Sequence, residues 1–163
     1  MQHWTKGYSQ SELDSAQARY RLRFPPDLVE LLLDRRPVDG FDWRSDDGRI
    51  AEMLQWPFDL LLFDIDHGDW WPGWGERPVC REEQVEILKD ALKKAPRLIP
   101  LLGHRFLPES PSNAGNPVFS MHGFDTIYYG ANLDEYFTNE FESRHEIGPV
   151  RRVPFWSDLA EAT

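Results

Sequence analysis

Five histidines are the residues whose type most directly suggests chemistry, because imidazole is a common metal ligand and general base. No two of them lie four residues apart, as the paired histidines of a zincin helix do, and the chain has no second cysteine to complete a zinc site. The spacing therefore predicts no metal centre, and no cofactor is expected. The five are His3, His67, His104, His122 and His145.

Three aspartates, Asp64, Asp66 and Asp69, have a spacing that partly matches a calcium-binding loop. Such a loop needs an oxygen ligand at its fifth position and a bidentate glutamate at its twelfth. Gly68 and Gly75 occupy those positions, so the match fails. Because aspartate and glycine are ordinary turn residues, we interpret Asp66 and the three residues after it as a turn that ends a strand.

Cys80 is the only cysteine, and it lies just before a predicted helix. A helix N-terminus with an adjacent arginine would lower the pKa of the thiol and make it a better nucleophile. Nucleophilic catalysis also needs a nearby base, which the sequence cannot place. A small hydrolase or metal enzyme that uses His104, His122 or Cys80 with Asp64 or Asp66 is therefore one hypothesis for the function.

Three tryptophans lie in the segment HGDWWPGWGERP, with four acids in or beside it, and this composition is typical of protein-binding hot spots with a charged rim. Tryptophans are often buried, and we expect Trp74 to pack inward. No catalytic residue is predicted in this segment. The predicted partner-binding residues are Asp64, Asp66, Asp69, Trp70, Trp71 and Glu76.

The composition indicates an acidic globular protein. The 163 residues, 40% of them hydrophobic, predict one domain over residues 1–163. The formal charge is −10, with nine acids but only two arginines between Asp39 and Asp69. Nucleic-acid binding depends on clustered Lys and Arg, so a basic protein is the expected partner and a nucleic acid is not.

The sequence also predicts the cellular compartment. A single cysteine cannot form an internal disulfide, which is typical of a reducing environment. The N-terminal run MQHWTKGYSQ lacks the apolar stretch of a secretory signal, and no apolar run approaches the roughly 20 residues that span a bilayer. We therefore expect a cytoplasmic protein without a membrane partner.

The upstream elements are predicted to be mainly helical. A helix of about ten residues is predicted from Ser11, with Asp14 as a weak capping-box partner, and a second helix from Pro26. Phe41–Trp43 is predicted to be a short strand. Further along the chain, the predictions are a brief helix over Ile50–Trp56 closed by Pro57, a strand over Leu60–Ile65, a helix from Glu82 to Pro96 and a strand over Leu98–Leu102.

The segment from His104 to Phe141 changes hydrophobic period twice. Val118–Met121 and Thr126–Tyr129 predict two antiparallel strands joined at a turn, and Asn132 is a good N-cap for a helix that follows. An edge strand over residues 150–155 and a final helix capped by Ser157 are also predicted. The predicted fold class is α+β, a mostly antiparallel sheet flanked by helices.

Several phrases of the sequence together resemble the SUKH superfamily of cell-wall-synthesis regulators and bacterial immunity proteins. They are RFPPDLVELL, DWR, FDID, WWPGWGERP, LIPLLGHRFLP, GNPVFSMHGFDTIYYGANLDEYF and NEF, in this order. The resemblance covers residues 12–141 and leaves 142–163 as an extension. The matching positions, which we interpret as fold determinants, are Trp74, Gly75, Pro78, Arg105, Pro108, Gly115, Asn116, Pro117, Asp125, Tyr128, Tyr129, Gly130 and Leu133.

The resemblance implies an α+β domain and, for the bacterial branch, an immunity protein that neutralises a toxin delivered between competing cells. The leading hypothesis is therefore a non-enzymatic cytoplasmic protein whose acidic, aromatic-edged surface occludes the active site of a basic toxin, with nucleases as one toxin class. The alternative is a regulatory or scaffold module for an endogenous partner. The enzyme hypothesis above is the third.

Overall fold

The computed structural model describes residues 2–162, and over this range the chain folds into two antiparallel β-sheets and six α-helices. This architecture confirms the predicted α+β class. The strands are β1 (Trp4–Lys6), β2 (Arg35–Pro37), β3 (Leu98–Leu102), β4 (Arg105–Pro108), β5 (Val118–Ser120) and β6 (Ile127–Gly130). The helices are α1 (Gln10–Tyr20), α2 (Pro26–Asp34), α3 (Gly48–Asp66), α4 (Arg81–Lys94), α5 (Leu133–Phe141) and α6 (Trp156–Glu161).

The larger sheet has the strand order β3-β4-β5-β6, and every neighbouring pair is antiparallel. The predicted hairpin is present, with Phe119 opposite Tyr128 and a 3₁₀ turn at Gly123–Asp125 between the strands. Asn132 caps α5 as predicted, because its side chain accepts a hydrogen bond from the backbone N–H of Glu135 at 2.9 Å. Local patterns were therefore sufficient to predict this part of the fold.

The first helix begins earlier than predicted. Ser9 is its N-cap, and the side chain of Ser9 and the side chain of Glu12 form a capping box with each other's backbone N–H groups. The prediction of Ser11 with Asp14 was wrong because glutamate reaches back to the cap more readily than the shorter aspartate. Helix α2 begins at Pro26 as predicted and runs directly into β2, which pairs with β1.

Helix α3 replaces two predicted elements, a brief helix and a strand over Leu60–Ile65. Pro57 lies inside this helix instead of ending it. A proline in a helix interior costs about 3 kcal/mol. Leu61 and Ile65, four and eight residues after Pro57, are completely buried on the same face, and each such burial is worth about 1.5–3 kcal/mol. Packing therefore outweighs the cost of the proline.

The predicted strand over Phe41–Trp43 is also absent from the structure. The hydroxyl of Tyr8 donates to the carbonyl of Phe41 at 3.0 Å and accepts from the backbone N–H of Trp43 at 3.1 Å. A buried side chain thus satisfies the backbone groups that a neighbouring strand would otherwise pair. The segment is held in place without a sheet.

The C-terminal predictions need a similar correction. Residues 150–155 do not form a strand, and Phe155, not Ser157, is the N-cap residue of α6. The hydroxyl of Ser157 instead accepts from the backbone N–H of Val153 at 2.8 Å, from within the helix. This contact folds the chain back before α6. An edge strand would need an extended backbone at this point, so no strand forms.

Two hydrophobic clusters form the core. The first joins α1, α2 and α5 to one part of the larger sheet, and the second joins α3, α4 and α6 to another part. The clusters extend beyond residues 12–141 on both sides, since Tyr8, Val153, Trp156 and Leu159 are buried. None of the helices within residues 2–162 combines the length and apolar character that crossing a bilayer requires.

Asn116 is the best-connected of the thirteen motif residues. It is completely buried, its amide nitrogen donates to the carbonyls of Pro108 at 3.1 Å and Pro111 at 2.9 Å, and its amide oxygen accepts from Arg151 at 2.8 Å. One side chain thus fixes the loop between β4 and β5. Of its neighbours, Pro117 is also buried, and the backbone N–H of Gly115 donates to Asp27 at 3.0 Å.

The motif residues on the sheet are held by charge and close packing. The guanidinium of Arg105 lies 3.8 Å from the ring centre of Tyr129 and forms an ion pair with Glu140 at 3.5 Å. Tyr128 donates to Glu161 of α6 at 3.0 Å, and burial raises the pKa of its hydroxyl. Three other motif residues near this sheet differ in exposure, since Leu133 and Gly130 are buried and Asp125 is exposed.

Candidate functional site

The tryptophan-rich segment connects α3 to α4 and contains a 3₁₀ turn at Pro72–Trp74. The indole N–H of Trp70 donates to the carbonyl of Gly75 at 2.9 Å, and the ring of Trp70 lies edge-on to that of Trp74. Trp71 and Trp74 both contact Phe155, at ring-centre distances of 6.5 and 6.2 Å. All three tryptophans are half-buried. The segment thus packs on the second core cluster, and each of its three indoles remains partly exposed.

The segment ends at Pro78, whose carbonyl accepts from the side chain of Gln84 at 2.6 Å. Gln84 lies in the first turn of α4 and is buried. This contact joins the end of the segment to the start of the next helix.

Asp64 connects α3 to the turn that follows β5. Its carboxylate accepts from the backbone N–H of Phe124 at 2.8 Å, and a side chain at Gly123, where φ is +63°, would collide with the same carboxylate. Burial raises the pKa of Asp64, and the hydrogen bond from Phe124 opposes that rise. Asp64 therefore has a structural contact, although it was predicted as a partner-binding residue.

Replacing Asp64 with alanine is expected to lower the free energy of unfolding by about 1–2 kcal/mol, because a hydrogen bond to a charged acceptor is lost from a half-buried position. Asp69→Ala is the matched control, since Asp69 is exposed and lies only five residues away. Urea denaturation of both variants measures the difference. Equal stability of the two variants would contradict a structural role for Asp64.

Asp66 is paired within the chain. Arg81 donates two hydrogen bonds to its carboxylate, at 2.9 and 3.0 Å, and this contact lowers the pKa of Asp66. Asp69 and Glu76 are exposed and form no ion pair within the part of the chain that the structure describes. Of the six predicted binding residues, these two acids and the outer sides of Trp70 and Trp71 are the groups most available to a partner.

The residues of the enzyme hypothesis are only partly brought together. The rings of His104 and His122 meet edge to face with centres 5.4 Å apart, and Trp56 stacks on His104 at 4.7 Å. Burial and the nearby charge of His104 lower the pKa of His122. The thiol of Cys80 is exposed and donates to Glu82 at 2.8 Å. Over residues 2–162, no group of three or more His, Cys, Asp or Glu side chains is arranged to hold a metal ion.

A groove that the sequence interpretation missed lies between α2 and α5. It has a volume of about 630 Å³, and we name it the α2–α5 groove. Asp27, Glu30 and Asp34 lie at positions i, i+3 and i+7 of α2, a spacing that places them on one face of the helix. That spacing could have been recognised from the sequence. The lining residues are Asp27, Glu30, Leu31, Asp34, Arg35, Ala114, Gly115, Asn132, Leu133 and Asp134.

A second hollow of about 460 Å³ shares Leu31, Arg35 and Asp134 with this groove and continues it towards β1. Four of its nine lining residues carry aromatic rings, and the six that it does not share are His3, Trp4, Phe137, Thr138, Phe141 and Glu142. The guanidinium of Arg35 lies 4.2 Å from the ring centre of Trp4. The only cationic side chain in the lining of either hollow is thus held against an aromatic ring.

Within residues 2–162, 22 acids but only 12 Lys and Arg residues form no ion pair, so unpaired acids outnumber unpaired cations. Of the 28 acidic residues, six form ion pairs within residues 2–162, which leaves 22 without one. An excess of unpaired carboxylates produces a negative potential around the molecule. The six paired acids are Asp42, Asp66, Glu86, Glu140, Asp158 and Glu161.

The chain matches no protein-family model, no curated protein and no solved structure. Membership of the SUKH superfamily therefore remains a prediction from the motifs of the sequence.

Proposed function

We propose that this protein is a non-enzymatic protein-binding domain, an immunity protein of the SUKH type that acts in the cytoplasm and occludes the active site of a basic toxin. The observation that most supports this proposal is the excess of unpaired acids: within residues 2–162, 22 acids and 12 Lys or Arg residues form no ion pair. Asp69 and Glu76 beside Trp70 and Trp71 provide part of the contact surface. Aromatic anchors with a charged rim are the usual composition of such surfaces.

A nuclease is the toxin class that best suits this charge. The active site of a nuclease attracts a polyanion, so a surface of unpaired carboxylates can occupy the same basic cleft as the phosphates of the substrate. Inhibition by occlusion requires affinity and shape, and it needs no bond to be made or broken by the inhibitor.

The association rate with the toxin is expected to fall by about tenfold or more when NaCl is raised from 0.1 to 1 M. Electrostatic steering raises association rates by about 10- to 1000-fold, and the Debye length falls from about 10 to about 3 Å over this range of salt. The dissociation rate should change much less. Surface plasmon resonance with the product of a toxin gene next to this gene measures both rates.

Two results would contradict the proposal. One is an association rate that does not depend on salt, and the other is a failure of co-expression to protect cells that produce the toxin. If the gene has no toxin neighbour and purification from the native host recovers an endogenous regulator, the scaffold alternative replaces the immunity role.

A further inference from the structure

We propose that the α2–α5 groove, with the hollow that continues it, is the docking site for a basic amphipathic segment of the protein partner. This inference rests on the proposed function, because it specifies where a basic partner binds. The two hollows together have a floor of apolar side chains and a rim of several acids with one cation, Arg35, which lies against the ring of Trp4. The apolar floor favours the apolar face of an amphipathic segment, and the acidic rim favours Lys or Arg at the edges of that face.

Both hollows have apolar side chains in their lining, and Leu31 is the apolar residue that they share. Leu31 of α2 lines both of them, Leu133 lines the first, and Trp4, Phe137 and Phe141 line the second. Trp4, Leu31 and Phe141 are only partly buried, so they still present apolar surface at the groove. A groove of this kind between two helices suits the apolar face of a helical segment.

The rim is acidic on both sides. Glu30 and Asp34 project from α2, and Asp134 and Glu142 project from the two ends of α5; all four are exposed, and none has an ion pair within the described chain. Asp27 differs, because its carboxylate already accepts from the backbone N–H of Gly115. Four carboxylates are thus available to lysines or arginines of a bound segment.

The chemistry of the groove distinguishes this occupant from others. A nucleic acid would be repelled by the rim. A metal ion would need converging ligands, and no such group exists within residues 2–162. A purely apolar segment would leave the acids unpaired, and a purely basic one would leave the floor exposed to water. The remaining occupant has apolar residues on one face and Lys or Arg at its edges.

The test uses a fluorescein-labelled 14-residue helical peptide with leucines on one face and lysines on the other. An identical peptide with glutamates in place of the lysines is the peptide control. The groove variant E30Q/D34N removes two rim charges without changing side-chain size. The matched control E52Q/D59N removes two exposed charges from α3. A114W tests the shape of the groove, since Ala114 is exposed and lines it.

Fluorescence anisotropy is expected to show that the wild-type protein binds the lysine peptide and not the glutamate peptide. E30Q/D34N should weaken binding of the lysine peptide by about 2- to 20-fold, because two partly exposed ion pairs are lost. E52Q/D59N should change it by less than about twofold, and A114W should weaken it without any change in net charge. Thermal unfolding confirms that each variant is folded.

Equal weakening by the two double variants would overturn the inference, because binding would then depend on net charge alone. Unchanged binding by folded A114W would also overturn it. The toxin assay separates this failure from that of the proposed function. If E30Q/D34N inhibits the toxin as well as the wild type does, the groove proposal fails and the immunity role stands. If the wild type binds neither the toxin nor the lysine peptide, both fail.

Discussion

Replacing Asn116 with aspartate is expected to lower the free energy of unfolding by about 3 kcal/mol at pH 7. The amide nitrogen of Asn116 donates to the carbonyls of Pro108 and Pro111, and a carboxylate has no hydrogen to donate to either. Each lost hydrogen bond is worth about 1 kcal/mol, and the carbonyls of Pro108, which is buried, and Pro111, which is half-buried, would also face a negative oxygen. The ion pair that the new carboxylate could form with Arg151 offsets only part of this cost.

The pH dependence of the free energy of unfolding of N116D shows whether the loss of stability comes from a buried carboxylate. Burial against two carbonyls raises the pKa of the new carboxyl, and the charge of Arg151 opposes only part of this rise, so the pKa lies above the value of about 3.9 in the unfolded chain. The folded state then binds the proton more tightly than the unfolded state does, so the stability deficit should shrink as the pH falls from 7 towards 4. Urea denaturation at both pH values measures this change.

Asn113→Asp is the control, because Asn113 lies in the same loop but is exposed. It should lower the free energy of unfolding by less than about 0.5 kcal/mol at either pH. An equal loss in N113D and N116D, or a deficit in N116D that is the same at both pH values, would show that the amide of Asn116 does not hold this loop.

Gly130→Ala is expected to destabilise the protein by a similar amount, about 3 kcal/mol, for a purely steric reason. A Cβ atom at Gly130 would lie 2.6 Å from the Cα and 2.7 Å from the backbone nitrogen of Tyr136. These are backbone atoms of α5, which cannot move aside as the end of a flexible side chain can. Accommodating the methyl group would shift α5 away from β6 and disturb the complete burial of Tyr136.

Gly48→Ala provides the comparison. No atom lies within 4 Å of a Cβ built at Gly48, which is the first residue of α3. Alanine has a higher helix propensity than glycine, so this variant should be unchanged or stabilised by up to about 1 kcal/mol. Thermal and urea unfolding of both variants measure the contrast. If G130A is as stable as the wild type, the helix is not held as close to the strand as the structure shows.

The sequence by itself determined those elements whose signals are local. The hairpin of β5 and β6, the cap at Asn132, the start of α2 at Pro26 and the helix before Pro96 were all recognisable from short patterns. In each case the residues that stabilise the element lie within one or two turns of it, so the pattern contains most of the physical cause.

The tertiary structure determined those elements whose stabilising contacts come from residues distant in the sequence. Pro57 remains inside α3 because Leu61 and Ile65 are buried against the core, and Phe41–Trp43 stays out of a sheet because Tyr8 satisfies its backbone. The core residues that bury Leu61 and Ile65, and the hydroxyl of Tyr8, come from other parts of the chain, so a local pattern cannot include them.

The candidate site divides in the same way. The tryptophans and acids at the end of α3 and in the segment before α4 were recognisable by composition, but whether each is available to a partner depends on its contacts, as Asp64 and Asp66 show. The acidic face of α2 was recognisable from the spacing of its three acids, whereas the groove exists only because α5 packs beside that helix. Sequence therefore determined which chemical groups are present, and the folded arrangement decided which of them remain free, because a hydrogen bond or ion pair within the chain competes directly with one to a partner.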